Sequence, residues 1–117
     1  MQVQGDKYTI VYHSETATVR CDGMLDLRGK DGYTEISELF TKVLDQIPLP
    51  KKIILDIRDL EFLNSSGITT LGGFIIRLRN KGGIQLLIQC ANKHSWQLRS
   101  MKGLQKLMSE GLELNFE

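Results

Sequence analysis

The fold is decided by the stretch Leu60-Glu61-Phe62-Leu63-Asn64-Ser65-Ser66-Gly67-Ile68, which joins a strand-like run to the start of a helix. Apolar residues lead into two adjacent hydroxyl side chains and a glycine, a pattern typical of a helix N-terminus. The first turn of a helix has backbone N–H groups without partners and a partial positive charge, both of which favour a phosphate. A serine at this point can be phosphorylated without unfolding the chain.

The residues alone leave two roles open for Ser65 and Ser66. Serine is a preferred N-cap residue that stabilises a helix by about 1 kcal/mol without any phosphate, and capping is the more common role. Phosphorylation would add a charge of about −1.5 to −2 and change which proteins can dock. Two features favour this second role. Gly67 costs about 1 kcal/mol relative to alanine in a first helical turn, and loops at strand carboxyl ends of α/β sheets face partners.

Outward from this stretch, the spacing of apolar residues predicts a small α/β protein. Alternation indicates a β-hairpin, and stripes at spacings of three, four and seven indicate helices. The apolar run Ile53-Ile54-Leu55 predicts a central strand covered on both faces. The predicted strands span 8–13, 17–22, 51–57, 84–90 and 112–116, and the predicted helices span 33/34–46, 66–80, 95–101 and 103–109. We therefore expect a mixed central sheet of four to five strands with about four helices.

The composition indicates one globular domain over residues 1–117. The 15 basic and 14 acidic residues predict no general attraction to nucleic acid or to anionic membranes. We expect the short basic clusters at 51–52 and 77–81 to be solvated edges. Cys21 and Cys90 lack metal or redox spacing, so both are expected in the core. No apolar segment approaches about 18 residues, which favours a soluble, cytoplasmic protein.

Signatures of catalysis are absent from the sequence. His13 and His94 are the only histidines, and neither has a carboxylate or cysteine at metal-ligand spacing. No P-loop, dinucleotide-binding glycine motif or GxSxG elbow is present. Asp56, Asp59 and Glu61 form an acidic cluster that we expect to be solvated, with a metal site as the lesser alternative. The sequence thus predicts no catalytic residue, cofactor or metal, and therefore no enzyme.

Gly72 and Gly73 fall inside the helix predicted over 66–80, where two glycines cost about 2 kcal/mol relative to alanine. Tight packing of the helix on the sheet would explain them. A flat outer surface that a partner approaches closely would also explain them, and one glycine can serve each purpose.

Together these motifs resemble the STAS domain, and more narrowly the stand-alone bacterial anti-sigma-factor antagonists. The resemblance rests on Ile53-Ile54-Leu55-Asp56, the serine stretch, Leu71-Gly72-Gly73, Lys81-Gly82-Gly83 before an apolar strand, and Met101-Lys102-Gly103-Leu104. It covers nearly the whole chain and implies a small STAS-like α/β fold.

The resemblance implies a phosphorylation switch in signal transduction and transcription regulation. In that family a kinase of the histidine-kinase-like ATPase fold phosphorylates the serine after the acidic residue, and a metal-dependent serine phosphatase reverses the step. The unmodified form binds the kinase, which is also an anti-sigma factor, and frees a sigma factor. Carried over, Ser65 is the phosphorylation site, and Ser66 and Gly67 begin the helix. The implied partner-binding surface consists of Thr69, Thr70, Gly73 and Arg77.

Asn64 stands where the family usually has aspartate. An amide there removes a negative charge beside the incoming phosphate, which would favour the modified form, and it removes a group that the kinase can recognise. The sequence therefore supports a second hypothesis. In it, the chain is a STAS module without phosphorylation that binds a small anion or nucleotide, or is a scaffold in a signalling complex.

Overall fold

The computed structural model describes residues 1–117, with seven strands and four helices. The strands are β1 (Gln2–Gln4), β2 (Tyr8–His13), β3 (Thr18–Leu25), β4 (Lys52–Asp56), β5 (Leu60–Leu63), β6 (Gln85–Cys90) and β7 (Leu112–Phe116). The helices are α1 (Gly29–Gly32), α2 (Thr34–Leu44), α3 (Ser65–Lys81) and α4 (Ser95–Gln105). The predicted mixed α/β class is confirmed, with more strands than the four to five expected.

The sheet has the strand order β1-β2-β3-β4-β6-β7. β1, β2 and β3 are antiparallel, which confirms the predicted hairpin, and β4, β6 and β7 continue from β3 in parallel. β5 lies beyond the end of β4 and pairs in parallel with the second half of β3. β3 therefore positions the residues that lead directly into α3.

β1 and β5 raise the strand count above the expectation. They contain only three and four residues, too few for an alternating pattern to be recognised. The residues of β5 form a strand-like run in the sequence, but they were not counted as a separate strand of the sheet. Both β4 and β5 pair with β3, and these contacts between residues distant in sequence are not visible in local patterns.

α4 is a single helix where two short helices were predicted, over 95–101 and 103–109. Gly103 suggested a break, but it is exposed, and Met101 and Leu104 on either side of it are buried in the core. Burial of these two side chains outweighs the cost of about 1 kcal/mol for glycine in a helix interior. α1, a single turn without any buried residue, was not predicted. None of the four helices is both long and apolar enough to span a membrane.

The helices cover one face of the sheet. Ile53 and Leu55 of β4 are fully buried under them in a cluster of 29 buried residues, whereas Ile54 on the other face is only half-buried. The central strand is therefore covered on one face, which corrects the expectation of cover on both. Within the helix layer, Phe40 of α2 stacks on Phe74 of α3 with the ring centroids 4.4 Å apart.

The two cysteines lie in the core. Cys21 and Cys90 are free and buried, as predicted, and burial raises the pKa of each thiol to about 12. Both thiols therefore stay protonated and pack as small apolar groups.

Asp56 departs from the expected solvated cluster. Its side chain is 8% exposed, and Arg58 donates to its two oxygens from Nε at 3.0 Å and from Nη2 at 2.9 Å. Burial alone would raise the pKa of Asp56, but the hydrogen bonds and charge of Arg58, with the charge of Arg20, hold it below its ordinary value. Asp59 and Glu61 are exposed, as expected. No group of three His, Cys, Asp or Glu side chains is placed to hold a metal ion.

Asp56→Asn should lower the free energy of unfolding at neutral pH by about 1–3 kcal/mol, the scale of hydrogen bonds to a charged group. Because folding lowers the pKa of Asp56, its carboxylate stabilises the protein above the unfolded pKa of about 3.9, and the effect is lost as the pH falls through the folded value. In urea denaturation, the difference in free energy of unfolding between wild type and Asp56→Asn should have its full size at about pH 6 and should become smaller below about pH 4. Glu113→Gln, at an exposed carboxylate, is the control; a difference independent of pH would contradict the role of the charge.

Candidate functional site

The first turn of α3 is capped by Asn64 and not by a serine. Asn64 has extended backbone angles, φ −82° and ψ 177°, and its Oδ1 accepts the backbone N–H of Gly67 at 3.0 Å. Its own N–H donates to the carbonyl of Leu25 at 3.0 Å, and its carbonyl accepts from Ile68 at 3.0 Å. At Asn64 the backbone thus changes, within one residue, from pairing with β3 to the hydrogen bonds of α3.

Ser65 and Ser66 are the first two residues of α3, and neither hydroxyl forms a hydrogen bond within the protein. Ser65 is exposed, Ser66 is half-buried, and the first helical turn contains no acidic residue. Since Asn64 provides the cap, neither serine is needed for that role. The result is an exposed, free hydroxyl at the positive end of a 17-residue helix.

The amide of Asn64 is engaged at both of its ends. Its Oδ1 also accepts the hydroxyl of Tyr33 at 2.6 Å, and its Nδ2 donates to the carbonyl of Leu27 at 2.7 Å. Tyr33 is 1% exposed, and burial raises its pKa to about 12, so the phenol remains a hydrogen-bond donor. One amide therefore connects α3 to the segment between β3 and α2.

An aspartate could not make the same contacts. A carboxylate has no hydrogen to donate, and one of its oxygens would face the carbonyl oxygen of Leu27, which lies 2.7 Å from the amide nitrogen. The asparagine at this position therefore has a physical cause in this chain. Leu27 and Tyr33 are 37 and 31 residues away from Asn64 in the sequence, and no local pattern pointed to them.

Gly67 is required by close packing. A Cβ at this position would overlap the side chain of Leu63 and lie 2.7 Å from the hydroxyl of Tyr33. The glycine that follows the two serines therefore lets Tyr33 reach Asn64, and its conformational cost in the helix is outweighed by that approach.

The residues predicted to bind a partner lie together on one side of α3. We call this surface the outer face of α3, and it consists of Ser65, Thr69, Thr70, Gly73 and Arg77. All except the half-buried Thr70 are exposed. Spacings of four residues place Ser65, Thr69, Gly73 and Arg77 along one line of the helix, and Thr70 lies beside this line. Arg77 donates from Nη2 to the hydroxyl of Thr41 in α2 at 3.0 Å. The surface is continuous, and its role in binding stays a prediction.

Gly72 and Gly73 serve different purposes. A Cβ at Gly72 would lie 3.3 Å from Leu107 and 3.5 Å from Leu104, so this glycine packs against α4 and the turn after it, not against the sheet as expected. A Cβ at Gly73 would have no neighbour within 4 Å. Gly73 therefore keeps the outer face of α3 flat.

The start of α3 presents an exposed hydroxyl without a neighbouring group that would activate it as a nucleophile. A serine nucleophile is activated by an adjacent base or metal, and Ser65 has no hydrogen-bonded base and no metal-ligand cluster beside it. The concave regions of the surface lie elsewhere, since none is lined by residues 64–67. The hydroxyl of Ser65 is instead open to solvent.

Comparison with known proteins gives two findings. Residues 8–115 match the sequence model of the STAS domain. Among solved structures, the fold is similar to SiaC in the crystal structure of diguanylate cyclase SiaD in complex with its activator SiaC from Pseudomonas aeruginosa. The TM-score is 0.72 and the identity 12%, over 100% of this chain and 99% of that chain, so this second similarity is one of fold alone. No curated protein matches the sequence.

Asn64→Asp should lower the free energy of unfolding at neutral pH by about 1–3 kcal/mol, because a hydrogen bond is lost and two oxygens are brought together. Capping alone predicts no loss, since Asn and Asp cap helices about equally well. Chemical denaturation measures the difference, and Asn92→Asp, at an exposed loop residue, is the matched control. A variant as stable as wild type would show that the contact with Leu27 has no energetic weight.

Gly67→Ala and Gly73→Ala should change stability in opposite directions, although both replace glycine in the same helix. Gly73→Ala should stabilise the protein by up to about 1 kcal/mol, the difference in helix propensity. Gly67→Ala should destabilise it by about 1–3 kcal/mol because of overpacking against Leu63 and Tyr33. Thermal melts of the two variants test this, and stabilisation by both would mean that Tyr33 moves aside at no cost.

Proposed function

This chain belongs to the STAS domain family, and we propose that it is a regulatory protein that binds a protein partner through the outer face of α3 and is switched by phosphorylation of Ser65. It is not itself an enzyme in this proposal, because the partner kinase supplies the catalysis. One observation carries the proposal: the hydroxyl of Ser65 is exposed and free at the first position of α3 because Asn64 provides the cap.

Phosphorylation of Ser65 would change binding without changing the fold. The phosphate would add a charge of about −1.5 to −2 at a helix end that favours negative charge and has no acidic residue in its first turn. The modified helix therefore stays stable. An interface packed over Thr69 and Gly73 would have to accommodate the phosphate, which costs several kcal/mol through desolvation and repulsion.

The neutral side chain of Asn64 affects both the phosphate and the kinase. A carboxylate beside Ser65 would repel the phosphate, whereas the amide of Asn64 carries no charge. We expect this chain to accept and hold a phosphate more readily than a relative with aspartate. Because the polar atoms of Asn64 are engaged by Gly67, Tyr33 and Leu27, the kinase would recognise other residues of the outer face of α3.

The resemblance supplies the class of partner. We propose a kinase of the histidine-kinase-like ATPase fold that is also an anti-sigma factor, and a metal-dependent serine phosphatase that reverses its action, all in the cytoplasm. SiaC, with a similar fold at 12% identity, is described in complex with a diguanylate cyclase that it activates. Direct binding of a signalling protein is therefore compatible with this fold.

The alternative function, a STAS module that binds a small anion or nucleotide without phosphorylation, has less support. A small ligand needs a concave site that surrounds most of its surface, and residues 64–67 line no such region. The outer face of α3 suits a large partner better than a small one.

The proposed switch predicts opposite effects of two substitutions at Ser65. Ser65→Ala should bind the partner constitutively, and Ser65→Asp should bind at least about tenfold more weakly, because a negative charge would enter the interface. The measurement is the affinity of purified variants for the kinase-type protein that Ser65→Ala retains from lysate. Ser66→Ala, one residue further along the helix, controls for loss of a neighbouring hydroxyl. Equal affinities of the Ala and Asp variants at position 65 would contradict the mechanism.

Phosphopeptide mass spectrometry on the protein from its own cells, under growth and under stress, tests the modification itself. We expect phosphate on Ser65 whose amount changes with the condition. Absence of phosphate in both conditions would favour the unmodified binding module.

A further inference from the structure

Charge is distributed unevenly along this nearly neutral chain. Between Glu61 and Glu110 the sequence contains seven Lys or Arg residues and no Asp or Glu. The remaining residues include the other eight basic residues and all 14 acidic ones, so the two parts carry +7 and −6. The formal net charge of +1 conceals this separation, and for that reason the composition predicted no charged surface.

The fold gathers six of the seven basic residues on two neighbouring helices. They are Arg77, Arg79 and Lys81 in α3 and Arg99, Lys102 and Lys106 in and directly after α4; all six are exposed, and none forms an ion pair. Two residues turn a helix by about 200°, so Arg79 lies on the side of α3 next to α4, whereas Arg77 and Lys81 lie on the side next to α2. We call Arg79 together with Arg99, Lys102 and Lys106 the cationic face. Spacings of three and four residues place the three in the α4 region on one side of that helix.

α3 and α4 are in direct contact beneath the cationic face. The missing Cβ of Gly72 leaves room for Leu104 and Leu107, and Arg79 donates from Nη1 to the carbonyl of Leu107 at 3.0 Å. Arg79 therefore adjoins the basic residues of α4 in one surface. Arg77, on the outer face of α3, lies on the other side of that helix, where it donates to Thr41 of α2.

The other end of the helix layer has the opposite charge. α2 packs over β1 and β2, away from α4, which packs over β7. It carries Glu35 and Glu38 against Lys42, and Asp45 follows directly. The positive and negative charges are thus separated in the structure as well as in the sequence. This arrangement favours a partner with a local acidic surface over a long polyanion, because the acidic residues around α2 would repel a polyanion.

We propose that the cationic face is a docking surface for an acidic surface of the protein partner. The inference rests on the proposed function for the class of occupant, and it adds the chemistry by which that occupant is recognised. Leu98 supports a protein occupant, because this apolar side chain is 47% exposed on α4, one turn before Lys102. An apolar contact inside a charged surface suits a protein interface, whereas phosphate backbones are bound by cations and polar groups.

The cationic face and the phosphorylation site act over different distances. Arg79 lies fourteen residues after Ser65 in α3, about 21 Å along the helix, which is more than twice the screening length of about 8 Å at physiological ionic strength. The charge of a phosphate on Ser65 is therefore largely screened by salt before it reaches the cationic face, which keeps its positive potential. The cationic face attracts and orients the partner, and Ser65 decides whether the close contact forms.

The test places the photo-cross-linking residue p-benzoylphenylalanine at position 102 of the full chain in its own cells, in a Ser65→Ala background. Position 42 in α2 is the control site. We expect cross-links from 102, and not from 42, to a protein whose cross-linked peptide is rich in Asp and Glu. Arg99→Glu with Lys106→Glu should reduce the yield about tenfold. Lys51→Glu with Lys52→Glu, the same change of net charge at exposed residues elsewhere, should leave it within about twofold.

Each outcome separates this inference from the proposed function. An undiminished yield of the acidic cross-link in a Ser65→Asp background would keep the docking surface and contradict the switch. In a third variant with the photo-cross-linking residue at position 73, cross-links from 73 but none from 102 would overturn the docking surface and keep the proposed function. Cross-links from 102 to nucleic acid, to lipid or to a peptide without acidic residues would overturn the inference, as would equal effects of the two double variants. Thermal melts verify that both double variants are folded.

Discussion

One side-chain amide, that of Asn64, connects three parts of the protein through hydrogen bonds to Gly67, Tyr33 and Leu27. The amide can do this because it is donor and acceptor at once, a property that a carboxylate does not share. The same bonds cap α3, define the distance between α3 and the start of α2, and require glycine at position 67. Because Asn64 already caps α3, the hydroxyl of Ser65 is not needed as a cap and stays without a hydrogen-bond partner in the protein.

The helix layer separates two tasks that a single small surface would combine. The outer face of α3 is nearly flat and uncharged for two turns after Ser65, whereas the basic side chains of the cationic face begin at Arg79, on the other side of that helix, and continue across α4. In the proposed function, a phosphate that excludes a partner locally would act on the flat part. Long-range attraction would depend on the charged part, where screening by salt would control its strength. The ion pairs of the buried Asp56 lie at the end of β4, outside both surfaces.

Much of the fold follows from local patterns, whereas the site depends on distant contacts. The hairpin of β2 and β3 and the apolar stripe of α2 are visible in the sequence because the period of apolar residues reports which side faces the core. The cap itself is a local contact between Asn64 and Gly67, and asparagine is as favourable an N-cap residue as serine, so this signal was present in the sequence. The bonds of Asn64 to Leu27 and Tyr33, more than thirty residues away, are not visible in any local pattern. Similarly, Asp56 is paired with Arg20 of a neighbouring strand as well as with Arg58, and the contact with Arg20 is not visible in a local pattern. A local rule also failed at Gly103, where core contacts of the adjacent residues outweigh helix propensity.

The recess at Gly72, into which Leu104 and Leu107 fit, has a consequence for the thermodynamics of association. Because it fixes α4 against α3 along and across the helix axes, the relative arrangement of the two helices is already determined in the free protein. If a partner contacts both helices, binding does not have to restrict their relative motion. More of the free energy of the contacts then remains as affinity. Gly72 would thereby increase affinity without contacting the partner itself.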